Sequence, residues 1–303
     1  MRLAILFSGQ GQQTAEHLSF LRENSGRAIA DNLAKALGNV WSESVSSSTD
    51  LSTNAIAQPM IFGFEMAWWE KLMPYLPIPV CAAGYSLGEM AACSAAGLFS
   101  DSAGVALCHE RATLMDANTA APVSMLAVLG ISEDKVEAVA NKHGLAIAIR
   151  NSPIHFVVTG AVAAVNEAAS AFEAAGATKL TPVAVKTPSH TQFLKAASGV
   201  FATRLKPHAQ GNLVFPVVSA VTGKMAFSCK DAAAALATQI SSMLHWDDVM
   251  ETIVEMQPDA VLEIGPGNAL SKMFGDFAPS IPVRSVCDFK SAQGVLSWLG
   301  RFN

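Results

Sequence analysis

The chain reads as an α/β protein of two subdomains: a larger one on a mostly parallel sheet, and a smaller ferredoxin-like one inserted into it. Three observations predict this. Short apolar runs alternate with helical patterns along most of the 303 residues, the rhythm of a sheet covered by helices. The stretch from 123 to 185 instead follows the order βαββαβ, the split βαβ unit. Finally, Gly84-Tyr85-Ser86-Leu87-Gly88 stands between a β-compatible run, Ile78–Ala83, and an alanine-rich helical run, Glu89–Ala96. Strand, tight turn and helix is the setting in which a GxSxG turn lifts a nucleophilic serine above the sheet, which makes the larger subdomain α/β-hydrolase-like.

Taken in order, Leu3–Phe7 is a continuous apolar run ended by Ser8-Gly9-Gln10-Gly11, a buried strand and its turn. Helices are predicted over 14–23 and 28–37, and a loop over 46–50. A long helix spans 56–73, where Pro59 fits because it falls near the first turn. Pro74, Pro77 and Pro79 end it and lead into the elbow strand. The helix over 101–118 starts at Ser100 or Asp101.

The inserted unit takes strands over 123–129, 145–150, 154–159 and 178–185, with helices over 132–143 and 162–175. Asn151-Ser152-Pro153 turns the chain between the two middle strands. Residues 1–121 and 189–303 thus make the larger subdomain and 122–188 the inserted one, and junctions of this kind border a cleft. A helix over 192–205, a strand over 215–219 and helices over 232–244 and 247–256 follow. The strand over 260–264 breaks at Gly265-Pro266-Gly267.

Apolar residues make up 51% and charged ones only 15%, a balance that suits a compact enzyme with one face covered by a partner. The net charge of −5 and the lack of a basic block argue against nucleic-acid binding. Cys81, Cys93, Cys108, Cys229 and Cys287 are odd in number and never spaced CxxC. Neither a disulfide framework nor a metal site is expected, and a reducing cytoplasm is. The first apolar run is too short for a signal peptide, and no run approaches the ~20 apolar residues of a membrane span.

A serine nucleophile needs a base. His190, in Thr187-Pro188-Ser189-His190-Thr191 on the loop leaving the inserted unit, is the candidate; His245, before Trp246, is its competitor. An α/β-hydrolase triad runs serine, acid, histidine, with the histidine late. His190 comes early for that order, and no Asp or Glu announces itself as the third member. Arg111 has Leu107, Cys108, Leu114 and Met115 at helical spacing and no acid among them. It either snorkels, pairs with a distant carboxylate, or awaits the carboxylate of a ligand. Gly9-Gln10-Gly11-Gln12 lacks the third glycine of a dinucleotide fingerprint, but its backbone N–H groups can form half of an oxyanion hole.

Together these motifs resemble the malonyl-CoA:acyl-carrier-protein transacylase family. Its signatures are FPGQGxQ, GHSLGE, an arginine 25 residues beyond the serine, a histidine after the small subdomain, and EIGPG. Here they read Phe7-Ser8-Gly9-Gln10-Gly11-Gln12-Gln13, Gly84-Tyr85-Ser86-Leu87-Gly88-Glu89, Arg111, Pro188-Ser189-His190 and Glu263-Ile264-Gly265-Pro266-Gly267, in the right order over nearly the whole chain. The resemblance implies Ser86 as nucleophile and His190 as base, with the ring held by the main-chain carbonyl of Gln239. It implies Gln10 and Leu87 as oxyanion N–H donors, Arg111 as the bidentate partner of the malonyl carboxylate, and Asn151 as a cleft residue. Malonyl-CoA and CoA are then substrate and product, no cofactor is bound covalently, and the partner is an acyl carrier protein with a phosphopantetheine-type arm.

The departures are Tyr85 for histidine, Ser8 for proline, Met90 for an aromatic and His155 for glutamine. Tyr85, Arg111–Asp116, Ser189-His190-Thr191 and the tail Asp288-Phe289-Lys290-Ser291…Trp298-Leu299 look more like the acyltransferase (epsilon) subunit of bacterial malonate decarboxylase. That likeness implies the decarboxylase carrier as acceptor and other decarboxylase subunits as partners. The rivals are a fatty-acid-synthesis transacylase, a serine esterase, which the missing acid and Arg111 disfavour, and a non-catalytic docking subunit, which the intact Ser86, His190 and Arg111 disfavour.

Overall fold

A computed structural model describes residues 1–42 and 50–302. The chain begins with β1 (Leu3–Phe7), α1 (Ala15–Asn24), α2 (Arg27–Leu37), the one-turn α3 (Asn39–Ser42), α4 (Asn54–Leu72), β2 (Cys81–Gly84), α5 (Gly88–Ala95) and α6 (Asp101–Ala117). Next come β3 (Val123–Leu129), α7 (Glu133–His143), β4 (Ala146–Ser152), β5 (His155–Ala161), α8 (Val162–Ala174) and β6 (Lys179–Val183). It returns through α9 (Lys195–Leu205), β7 (Asn212–Val218), β8 (Met225–Ser228), α10 (Cys229–Gln239), β9 (Leu244–His245) and α11 (Trp246–Glu255). It closes with β10 (Ala260–Ile264), α12 (Ala269–Phe277), β11 (Val283–Ser285) and α13 (Ala292–Leu299). The loop expected over 46–50 lies, but for Asp50, outside the described residues.

The larger sheet has the order β11-β10-β1-β2-β7-β8, parallel except for the antiparallel β7–β8 edge. Its centre is β1, fully buried between β10 and β2, which is why its sequence is an unbroken apolar run. Leu3, Ile5 and Phe7 belong to one core cluster, shared with residues of α1, α2, α4 and α5, while Ala4 and Leu6 belong to another, shared with residues of α11 and α12. Phe7 is level with both Gly84 and Ile264. The turns after β1, β2 and β10 therefore leave the sheet side by side at its carboxyl edge, where open α/β sheets place their sites.

The smaller sheet runs β6-β3-β5-β4 with every neighbour antiparallel, the ferredoxin-like order expected of βαββαβ. Its outer face has its own core with α7 and α8, including Val128, Phe156, Val136 and Phe172. Its inner face, Met125, Ala127, Ile149 and Val157, packs toward the larger subdomain. A fifth strand, β9, arrives from the larger subdomain and pairs in parallel with β4. Beside this join, Arg150 of β4 is ion-paired with Asp247 and Asp248 of α11.

Two expectations need correction. The helix expected to run to 244 stops at Gln239, and Leu244 belongs to β9. Leu236, Ile240 and Leu244 continue a helical spacing, so periodicity could not see that pairing with β4 claims the last of them. Likewise α4 starts at Asn54, so Pro59 lies inside the helix and not near its first turn. Its missing N–H leaves the Ala55 carbonyl without a helical partner. The helix continues regardless because every residue from Ala57 to Trp69 is buried, so tertiary packing outweighs the local break. No helix among the described residues is long and apolar enough to cross a membrane.

Candidate active site

The elbow is built by sterics. Ser86 sits at φ +52°, left-handed backbone that costs a non-glycine residue roughly 1–3 kcal/mol. A Cβ on Gly84 would collide with the backbone N of Glu89, and one on Gly88 with the carbonyl of Phe7. On Gly9 it would come within 2.8 Å of the Tyr85 carbonyl. Strand, turn and helix thus close around Ser86 only where these positions carry glycine.

His190 meets the serine from the loop after the smaller subdomain. Its Nε2 is 2.8 Å from Ser86 Oγ, and its Nδ1 is 2.7 Å from the Gln239 carbonyl oxygen. A carbonyl only accepts, so Nδ1 carries the hydrogen and Nε2 is left bare to accept from the serine hydroxyl. The carbonyl is free because α10 ends at Gln239, and the last carbonyls of a helix have no partner within it. Burial first, then the charge of Arg111, lowers the His190 imidazole to about 3, so it is neutral at ordinary pH.

Arg111 is 1% exposed, which excludes snorkelling. Its Nη1 donates to Gln58 Oε1 at 2.8 Å and its Nη2 to Gln239 Oε1 at 2.9 Å, while its Nε has no hydrogen-bond partner among the described residues. Both bonds go to neutral amides. Glu89, whose charge acts on Arg111, is joined instead to Gln239 Nε2 at 2.6 Å. Burial lowers Arg111 to about 10, against the pull of Cys108 and Glu89, and raises Glu89 to about 7. Among the described residues, Arg111 is therefore a buried cation in hydrogen-bond contact with no carboxylate. Sequence reading gives Gln58 no role and takes Glu89 only as the end of the elbow motif; the signal for Gln58 is a polar residue inside an apolar helical run.

All of this opens onto a cavity of about 280 Å³ between the subdomains. Ser86, Leu87, His190, Arg111 and Gln10 line one end, and Met125, Ala127, Ile149 and Val157 of the smaller sheet form an apolar wall. Tyr85, Asn151 and His155 line it too: the Tyr85 hydroxyl donates to Asn151 Oδ1 at 3.0 Å, and Asn151 Nδ2 is 3.4 Å from His155 Nε2. Burial holds the Tyr85 phenol above its usual range and the His155 imidazole below its own. Gln239 acts from behind the lining, also donating through Nε2 to the Ser86 carbonyl at 2.9 Å. His245, the competing base, lies on β9 outside the lining, with Asp248 at 4.0 Å.

Such an arrangement can perform acyl transfer through a serine ester. Comparison with known proteins agrees. Residues 5–291 match the model of the acyl transferase domain. A malonyl CoA-acyl carrier protein transacylase of Haemophilus influenzae is 29% identical over 313 residues, covering 97% of this chain and 99% of its own. That of Mycobacterium tuberculosis is 27% identical over 298 residues, covering 94% and 96%. Among solved structures, the malonyl-CoA:acyl carrier protein transacylase of Xanthomonas oryzae superposes with a TM-score of 0.88 at 27% identity, over 98% of this chain and 99% of that one. A malonyl-transacylase captured with a type II polyketide acyl-carrier protein gives 0.88 at 26% identity, over 98% and 99%. The chain belongs to the acyl transferase domain family and is an acyltransferase whose whole-length relatives are malonyl-CoA–acyl carrier protein transacylases.

Proposed function

We propose that this protein moves malonyl from malonyl-CoA to the thiol of an acyl carrier protein through a malonyl ester of Ser86. His190 Nε2 takes the hydroxyl proton as Ser86 Oγ attacks the thioester carbonyl. The N–H groups of Gln10 and Leu87 hold the oxyanion. Collapse expels CoA as its thiol, protonated by His190, and the carrier thiol then repeats the sequence in reverse. The chemistry needs no bound cofactor; CoA is substrate and product. The apolar wall of the smaller sheet keeps water from intercepting the ester.

Arg111 is the observation that carries the malonyl assignment. A buried guanidinium held by two neutral amides, with its Nε–H unpaired among the described residues, is prepared for a carboxylate that arrives with the substrate. Intact-mass analysis after mixing with malonyl-CoA is expected to show one malonyl adduct, absent in Ser86→Ala. An adduct that persists in that variant refutes the assignment.

For the acceptor, the reading is the carrier of malonate decarboxylase, in company with other subunits of that system in the cytoplasm. Tyr85 and the Asp288–Leu299 tail support it; within the tail the Phe289 ring packs 6.0 Å from Trp298, and Arg284 of β11 lies 4.2 Å from the same ring. The fatty-acid carrier is the alternative, and the names of the relatives fit it equally well. Malonyl transfer to the two carriers under equal conditions decides between them, with the decarboxylase carrier expected to be faster.

A further inference from the structure

The turn that carries Gln10 is held by a carboxylate outside the chemistry described above. Glu263, buried in β10, accepts from Ser8 Oγ at 2.9 Å, from Leu270 N at 3.2 Å and from Ser271 N at 2.7 Å. The last two are free N–H groups in the first turn of α12, whose own N-cap, Asn268, makes no side-chain cap bond. Glu263 therefore caps this helix from a neighbouring strand, where an anion is also favoured by the helix dipole. One side chain ties together two walls of the cavity: the turn with Gln10, and the helix with Leu270 and Met273.

Ser8 has little freedom in this setting. Its N–H donates to the Ile264 carbonyl at 3.1 Å, and its own carbonyl lies 2.6 Å from where a Cβ on Gly88 would stand. Further along the turn, Gln10 Nε2 donates to the Ser52 carbonyl at 2.7 Å. Beside Glu263 lies Glu65, fully buried, with neither oxygen in a hydrogen bond among the described residues. Burial and then the charge of Glu263 hold the Glu65 carboxyl well above the usual range, opposed only by the Ser8 backbone. Burial raises Glu263 as well, but its donors on Ser271, Ser8 and Leu270 oppose that. Of the two carboxyls, Glu263 is the one whose charged form its hydrogen-bond donors favour.

We propose that Ser8 and Glu263 are positioning residues for acyl transfer, their hydrogen bond setting the place of the Gln10 amide relative to Ser86. The inference rests on Ser86 as nucleophile and Gln10 as oxyanion donor. Proline, which the family pattern carries at this position, has no hydroxyl, so the bond belongs to chains that carry serine there.

The test uses the full chain with malonyl-CoA and a phosphopantetheinylated carrier, comparing Ser8→Ala, Ser8→Thr, Glu263→Gln and Ser86→Ala. Rates are taken per Ser86 site that can be acylated, so a partly unfolded preparation does not pass for a slow enzyme. Ser8→Ala is expected to lower kcat about 10- to 100-fold while KM for malonyl-CoA stays within about twofold. Ser8→Thr, which keeps the hydroxyl, recovers most of the rate. The double variant Ser8→Ala/Glu263→Gln is no slower than the slower single one, since both act through one bond. Wild-type kcat in Ser8→Ala, a raised KM at unchanged kcat, or no recovery with threonine overturns the proposal. If either single variant fails to fold the other decides by the same criteria, and if both fail the residues are structural and the proposal falls. Wild-type transfer by Ser86→Ala would instead refute the nucleophile, a result independent of the Ser8 series.

Discussion

The two walls of the cavity are held by different physics. On the larger subdomain the site is fixed by backbone: left-handed Ser86 and His190, glycines that admit no side chain, and a helix-terminal carbonyl turned onto His190. On the smaller subdomain it is an apolar sheet face with few polar contacts, the Tyr85–Asn151 bond at 3.0 Å and the Asn151–His155 contact at 3.4 Å. In the proposed reaction the first wall makes and breaks the bonds, and its backbone leaves almost no room for displacement. The second would shape the space and exclude water, and a sheet face can do that with small losses. Substitutions should therefore be costly on one side and mild on the other.

The sharpest test is steric. Gly88→Ala is expected to destabilise the fold by more than about 3 kcal/mol, because the new methyl meets backbone that cannot move. Gly199→Ala, inside α9 with nothing within 4 Å of the added Cβ, should stabilise by up to about 1 kcal/mol. Urea unfolding of both variants checks this, and equal effects would remove the steric account of the elbow.

Arg111→Ala should lower malonyl transfer about 10- to 150-fold, the worth of two charge-assisted bonds of roughly 1.5–3 kcal/mol net. Acetyl transfer, which has no carboxylate to place, should hold or improve, and lysine should rescue only in part because it lacks the planar fork. Steady-state rates with malonyl-CoA and acetyl-CoA measure this. Equal loss with both would make Arg111 a packing residue.

The third test is of pH. His190 is held at about 3 in the fold, below the ordinary imidazole value of 6.5. An unfolded chain therefore binds a proton at this residue below pH 6.5 that the folded chain does not. Stability should fall as pH drops from about 6.5 toward 3, with up to about 1.4 kcal/mol per pH unit from this residue. His190→Gln should lack that component when urea unfolding is followed across the range. An unchanged slope would mean that His190 is not the buried neutral base.

The mildest effect is expected where the two walls meet, at the bond from Tyr85 of the elbow to Asn151 of the smaller subdomain. Tyr85→Phe removes one hydrogen bond to Asn151, worth about 0.5–1.5 kcal/mol, and should change kcat/KM by no more than about tenfold. A loss as large as that of Arg111→Ala would mean that the smaller subdomain takes part in the chemistry, and the contrast between the walls would collapse.

Legibility in the sequence follows the same division. Strands β1, β3 and β10 fall where the apolar runs place them, because a strand buried on both faces shows itself as continuous hydrophobicity. The edge strands β8 and β11 and the two-residue β9 escape notice, being short and defined by their partners more than by their own pattern. Helix α13 was read only as a tail motif.

By itself the sequence determined the elbow, since Gly84, Gly88 and Gly9 are demanded by contacts among near neighbours in a strand–turn–helix, and it marked Ser86, His190 and Arg111 through motif and spacing. Only the tertiary structure decided what those residues can do. The Nδ1–carbonyl bond that sets the tautomer of His190 joins positions 49 apart, and the amides that hold Arg111 lie 53 and 128 positions from it. Such bonds leave no periodicity in a chain. They exist because α10 ends at Gln239 where β9 is drawn away to the smaller sheet, and no local propensity carries that information.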